Sequence, residues 1–141
     1  MKNKVFLLSI FLASIFTACA SHDQLVKEPP FKINKAFAKG DQTKIMVHLD
    51  VTEMPEDVEL LALYYNKRKC AIVEKEGKYI AEFIIKPSDI ILSNDMSAES
   101  QNTIPQLPEE SPVGINATQA LLVYNESGKE WYYIIDEITR E

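Results

Sequence analysis

The sequence predicts an all-β protein, an antiparallel β-sandwich of about six or seven strands with a small β-barrel as the alternative. Three observations carry this reading. Apolar and polar residues alternate with a period of two from Phe31 onward, and hairpin-length turns bearing Gly or Asn separate the alternating runs. Helical periodicity is absent from the same stretch, apart from weak traces in one long loop.

Phe31 to Ala38 is expected to be the first strand. Ile45, Val47, Leu49 and Val51 alternate with Lys44, Met46, His48 and Asp50, as in a strand with one buried and one wetter face. Val58 to Tyr65 is apolar on both parities except at Glu59, which predicts a strand buried on both sides. Asn66-Lys67-Arg68-Lys69 then turns the chain into Cys70 to Glu74. Glu74-Lys75-Glu76-Gly77 forms a tight turn into Tyr79 to Ile85, because Gly adopts positive φ at little cost. A second hairpin is predicted where Asn125-Glu126-Ser127-Gly128 joins Gln119–Tyr124 to Glu130–Ile138. Short strands at this spacing fit an immunoglobulin-like or transthyretin-like sandwich in one domain covering residues 31–141.

One connection is not short. Residues 86–118 hold four prolines, many Ser and Asn, and five acids against the single base Lys86. Ile90, Ile91 and Leu92 could add a short strand or plug, while the remainder reads as irregular. Loops of this length are functional or disordered more often than not. A disordered or surface-packed excursion is expected, with a binding element as the alternative.

The N-terminus supplies an address. Lys2 and Lys4 precede a charge-free, mostly apolar stretch from Val5 to Ala18, the pattern of a cleaved secretory signal. As a helix this stretch would span about 21 Å, short of the ~30 Å hydrocarbon core. Phe16-Thr17-Ala18-Cys19 resembles the bacterial lipobox, in which small residues before a Cys allow acylation of its thiol, with palmitate-type chains, and cleavage before it. The motif departs from the usual pattern only in having Phe16 in place of an aliphatic residue. Residues 1–18 are therefore read as a lipoprotein signal peptide, Cys19 as the lipidation site, and residues 19–30 as lipidated Cys plus flexible tether ending in Pro29-Pro30. The alternative is cleavage after Ala20, which would release a soluble secreted domain. Ala20 and Ser21 lack the early Asp that retains many lipoproteins at an inner membrane, so an outer-membrane position in the cell envelope is expected.

Removing Lys2 and Lys4 takes the formal charge from −6 to −8. Such a balance disfavours nucleic acid and leaves membrane attachment to the lipid rather than to overall basicity. About 110 residues remain after the tether, enough for one core.

The chemistry inventory is thin. With Cys19 acylated, Cys70 has no disulfide partner, and its apolar strand context marks it as a small buried hydrophobe rather than a reactive thiol. His22 lies in the tether and is read as solvated, so His48 and Cys70 are the only His and Cys of the folded part and give no zinc spacing. Asp89, Asp95 and Glu99 do not follow an EF-hand pattern. No nucleophile elbow, phosphate-binding glycine loop or carboxylate pair accompanies His48, so no catalytic residue and no cofactor is assigned. Asn116-Ala117-Thr118 and Asn125-Glu126-Ser127 match the N-glycosylation tripeptide, a coincidence behind a bacterial lipobox.

Aromatic residues are the one hint of recognition. Trp131, Tyr132 and Tyr133 occupy both parities of one strand and could present a surface to an envelope protein or glycan. The competing reading is that Trp131 and Tyr133 fill the core while Tyr132 stacks on a neighbouring strand.

Three segments, Lys32-Ile33-Asn34-Lys35-Ala36-Phe37, Asp89-Ile90-Ile91-Leu92-Ser93-Asn94-Asp95 and Tyr124 to Tyr133, together resemble a group of small Bacteroidota-type bacterial lipoproteins. Relatives in that group carry a Gly-rich segment after the first strand, where this chain reads Lys39-Gly40-Asp41-Gln42-Thr43. The resemblance implies lipidation and a single β-domain, and no activity or catalytic residue. The expected protein is a monomeric, lipid-anchored binding or structural module of the cell envelope. The alternative class is a hydrolase or other enzyme with residues 86–118 as a lid, recognisable by a His or carboxylate pair converging beneath it.

Overall fold

The computed structural model describes residues 23–85 and 107–141. All of their elements are strands: β1 (Leu25–Val26), β2 (Lys32–Gly40), β3 (Lys44–Thr52), β4 (Val58–Tyr65), β5 (Arg68–Lys75), β6 (Lys78–Ile84), β7 (Ala120–Glu126), β8 (Lys129–Ile135) and β9 (Thr139–Arg140). They make one sheet in the order β1-β8-β7-β4-β5-β6-β3-β2-β9. The fold is all-β, and the strands β2 to β8 are the predicted sandwich strands, antiparallel throughout. The two-residue β1 and β9 add in parallel at the two margins, so the sheet is mixed.

β5 explains how one sheet encloses a core. Its residues Arg68 to Ala71 pair with β4, and Ile72 to Lys75 pair with β6. The strand thus hands over from one half of the sheet to the other and forms a corner, as strands do in orthogonal packings and barrels. Across the corner the inward faces meet. Ala36 and Ala38 of β2, Val47 and Leu49 of β3, and Ala81 and Phe83 of β6 share one cluster with Leu60 and Leu63 of β4, and Leu122 and Tyr124 of β7. Phe31 closes this cluster edge-on to Tyr124, with ring centroids 5.1 Å apart. Leu49, Leu63, Leu122 and Phe83 are fully buried, each contributing about 1.5–3 kcal/mol of transfer free energy.

Three hairpins turn in two residues with positive φ at both: Asn66-Lys67, Glu76-Gly77 and Ser127-Gly128. This is the I′ pattern that matches strand twist. The last hairpin is tighter than the four-residue turn expected, since Asn125 pairs with Glu130 and Glu126 with Lys129 before the chain reverses. The Asn125 Oδ1 accepts from the Gly128 N–H at 2.9 Å.

One difference from the sequence reading has a physical cause. Leu25 and Val26, expected in the tether, form β1 because their side chains reach opposite faces of β8: Leu25 joins the apolar cluster on the outer face and Val26 the core. The Tyr132 N–H donates to the Gln24 carbonyl at 2.9 Å and fixes this addition. The described end of the long connection is packed. The Glu109 N–H donates to the Lys67 carbonyl at 2.9 Å, and Val113 and Ile115 lie against Tyr64 and Leu121 on the outer face of β4 and β7. Residues 107–118 are thus a surface-packed excursion. Asn116 caps its return, accepting from the Thr118 and Gln119 backbone N–H groups, which gives that asparagine a structural task. The signal segment, Cys19, and the Ile90–Leu92 plug lie outside the described residues.

Candidate functional site

Trp131, Tyr132 and Tyr133 do not form one surface. Trp131 and Tyr133 pack against the core cluster, and Tyr132 packs with Leu121, Val123 and Tyr64 on the opposite face. All three are half-buried, and Lys129 Nζ sits 4.0 Å from the Trp131 ring centroid. A partner laid on one face of β8 reaches either Tyr132 or the other two rings. The arrangement fits the packing reading better than the platform.

The pocket beneath residues 107–118, about 290 Å³, is lined by Tyr64, Glu109, Glu110, Ser111 and Val113 among others, with no histidine among its described lining. Glu109 is 3.8 Å from Lys69, and Ser111 Oγ donates to the Val113 carbonyl at 2.6 Å. Tyr64 in turn holds Lys69, whose pKa is raised by a side-chain hydrogen bond to that phenol. These groups fasten the excursion to β4, and they form no nucleophile–base pair. Among the described residues no group of three or more His, Cys, Asp or Glu could hold a metal ion.

The side chains that do converge lie on the outward face of β2, β3, β6 and β5. Inward residues Ala36, Ala38, Val47, Leu49 and Ala81 are buried, so the period of two sends Phe37, His48, Ile80 and Val73 to the other side. Register aligns them in one row: Phe37 opposite His48, His48 opposite Ile80, and Ile80 opposite Val73. The Phe37 and His48 rings are stacked, 4.9 Å apart with planes at 10°. Val73 is 51% exposed. Beside this row runs an open groove of about 790 Å³, lined by Phe37, His48 and Ile80, by Lys35, Lys39, Lys75 and Lys78, and by Asp50 and Glu76.

Charge in the groove is uneven. Lys35 and Lys39 flank Phe37, with Nζ atoms 4.5 and 5.1 Å from its ring centroid, and both bind the Glu141 carboxylate. These two hydrogen bonds hold the Glu141 pKa below the usual carboxylate range. Lys75 and Lys78 stand directly opposite each other across the Glu76-Gly77 turn. Like charges in that position are unfavourable for the sheet.

His48 is the most informative member. Its Nε2 is buried without a hydrogen-bond partner among the described residues. Burial, then Lys39 and Lys78, push its pKa below the ordinary histidine value, against a smaller opposing effect of Glu141. The neutral imidazole is therefore favoured, with its Nε2 closed off from solvent. Strand parity placed His48 on the wetter face, as found. Sequence reasoning missed Phe37, Lys35, Lys39, Lys75 and Lys78. The available signal was Lys35-x-Phe37-x-Lys39 on one parity, together with two lysines bracketing a Glu-Gly turn.

Cys70 is half-buried at the margin of the core, and its thiol donates to the Glu82 carbonyl at 2.9 Å. It fills the place where β5 leaves β6, a structural role. No family model, curated protein or solved structure matches this chain.

Proposed function

We propose that this chain is a lipid-anchored binding module of a bacterial cell envelope, held through Cys19 and taking its ligand in the groove beside Phe37 and His48. The binding half of the reading rests on one observation: Phe37 and His48 line an open groove together with four lysines. The groove volume lies within the usual range of small-molecule sites.

The anchoring half rests on Phe16-Thr17-Ala18-Cys19. β1 begins at Leu25, six residues after Cys19, which at full extension holds the domain within ~20 Å of the lipid. A radiolabelled palmitate chase with membrane fractionation tests it. Wild type should take up label and sediment with membranes, and Cys19→Ala should do neither, because the acyl chains supply about 0.8 kcal/mol per buried CH₂. An unlabelled wild-type protein in the soluble fraction would overturn the anchor and leave simple secretion.

A further inference from the structure

One margin of the sheet is barely covered, and what covers it shows what it accepts. β2 runs for nine residues and pairs with β3 from Lys32 to Gly40, with one bulge. On its other side only Phe37 and Ala38 have a partner strand among the described residues, the two-residue β9. Residues 139–141 lie there as a strap. The Glu141 N–H donates to the Ala38 carbonyl at 3.0 Å, and the Thr139 hydroxyl donates to the Ala36 carbonyl at 3.3 Å. The Glu141 carboxylate binds Lys35 and, at 3.2 Å, Lys39.

We propose that the outer edge of β2 takes up an extended acidic segment of a partner protein, which adds as a strand in place of residues 139–141 and sets its carboxylates on Lys35 and Lys39. This surface goes beyond the groove reading and stands whether or not the groove holds a ligand. An uncovered strand edge offers a row of backbone donors and acceptors to another chain, and side chains on alternate positions select the chain that adds. Here the selecting side chains are basic. β2 carries Lys32, Lys35 and Lys39 and no acid, in a chain whose formal charge is −6. The strap already pairs a backbone N–H with the edge and a carboxylate with two of these lysines, so the chain itself supplies the pattern for an acidic strand.

The strap is built to yield. Thr139, Arg140 and Glu141 are all exposed, whereas Ile138 before them is 4% exposed, lies in the core cluster and donates its N–H to the Thr118 carbonyl at 2.8 Å. Lifting residues 139–141 therefore leaves the core closed at Ile138. Their ion pairs lie at the surface, where each contributes little. A partner segment long enough to follow β2 beyond Phe37 and Ala38 makes main-chain hydrogen bonds that a two-residue strand does not.

The test is an NMR titration of the isotope-labelled full chain in non-ionic detergent. The probes are a heptapeptide of alternating glutamate and valine, its lysine–valine counterpart, and glutarate as a carboxylate without a backbone. The acidic peptide should shift the Ala36 and Ala38 amide resonances and release those of Thr139 to Glu141 to free-chain positions. Glu141→Gln, which loosens the strap, should tighten acidic-peptide binding several-fold. Lys35→Gln with Lys39→Gln should weaken it at least about tenfold while the Val47 and Leu49 resonances stay in place. Equal binding of the lysine peptide overturns the acidic partner, and glutarate reproducing the same shifts overturns strand addition. Peptide binding that leaves residues 139–141 in place, or unchanged affinity in Glu141→Gln, overturns the exchange. No shift of the β2 amides by the acidic peptide, even in Glu141→Gln, overturns the whole proposal and leaves residues 139–141 as a fixed cover of the edge.

Discussion

Gly40 is the position on which the alignment of the groove depends, and Gly40→Ala is the sharpest test of the fold. Gly40 ends β2 opposite Ile45, with φ at +145°, a conformation that L side chains rarely adopt. A Cβ built there would lie 2.0 Å from the Lys44 carbonyl oxygen and 2.9 Å from the Ile45 Cα. Both atoms are backbone, so the hairpin must open to admit a methyl group. The conformational cost of about 1–3 kcal/mol adds to an overpacking cost of similar size, giving about 3 kcal/mol in all. For a domain of this length that lowers the melting temperature by roughly 12 °C. Gly128→Ala is the control, because Gly128 has φ at +84° and nothing within 4 Å of its added Cβ. Its expected cost is the left-handed penalty alone, about 1 kcal/mol or roughly 4 °C. Thermal unfolding by circular dichroism reads both. If Gly40→Ala costs no more than Gly128→Ala, the close approach is not what holds the β2–β3 hairpin, and the reasoning fails. The consequence reaches the site, since a one-residue slip of β2 would turn Phe37 away from His48.

Two further outcomes follow from the same geometry. Lys67 has φ at +58° in the one of the three described two-residue turns that lacks glycine, so Lys67→Gly should stabilise the fold by about 0.5–1 kcal/mol, read as a rise in the urea midpoint at unchanged slope; a fall would mean that the Lys67 side chain contributes more than its strain costs. Burial pushes the Tyr124 phenol up to about 12, so its neutral form is favoured in the folded state: that stability is fully present below the unfolded value near 10 and lost as pH rises from 10 towards 12. Tyr124→Phe should flatten the alkaline limb of a stability–pH curve, and an unchanged limb would assign it to other groups.

Much of this fold is legible in the sequence because its rules are local. The alternation in Lys44 to Val51 gave the correct faces for Val47, Leu49 and His48, and the turns at Gly77 and Gly128 were marked by the residue that positive φ favours. What local rules cannot reach is register summed over several hairpins. Whether Phe37 meets His48 depends on the β2–β3 turn, and whether His48 meets Ile80 depends on how β4 and β5 bring β6 back beside β3. β1 was hidden for another reason. Two apolar residues beside charged neighbours and a Pro pair give no period, and only the exposed margin of β8 makes their pairing favourable.

The asymmetry of the two outer faces makes the groove the better place to look for function than the aromatic strand. On the β4–β7–β8 side the fold covers its own outward apolar residues: Val113, Ile115 and Leu25 lie against Tyr64, Leu121 and Val123, and those three are buried. Aromatic side chains there contribute to packing, so truncating Tyr132 disturbs stability and recognition together and cannot separate them. On the β2–β3–β6–β5 side the same alternation produces an outward row of Phe37, His48, Ile80 and Val73, yet Val73 stays half exposed and the groove beside it stays open. Folding half-buries Phe37, His48 and Ile80 and leaves Val73 exposed, so the row stays partly open and is edged by lysines in an acidic chain. Under the groove reading proposed above, that composition suits a ligand of opposite charge. Changes at Lys75 and Lys78 are therefore the ones able to alter binding at little cost to the core.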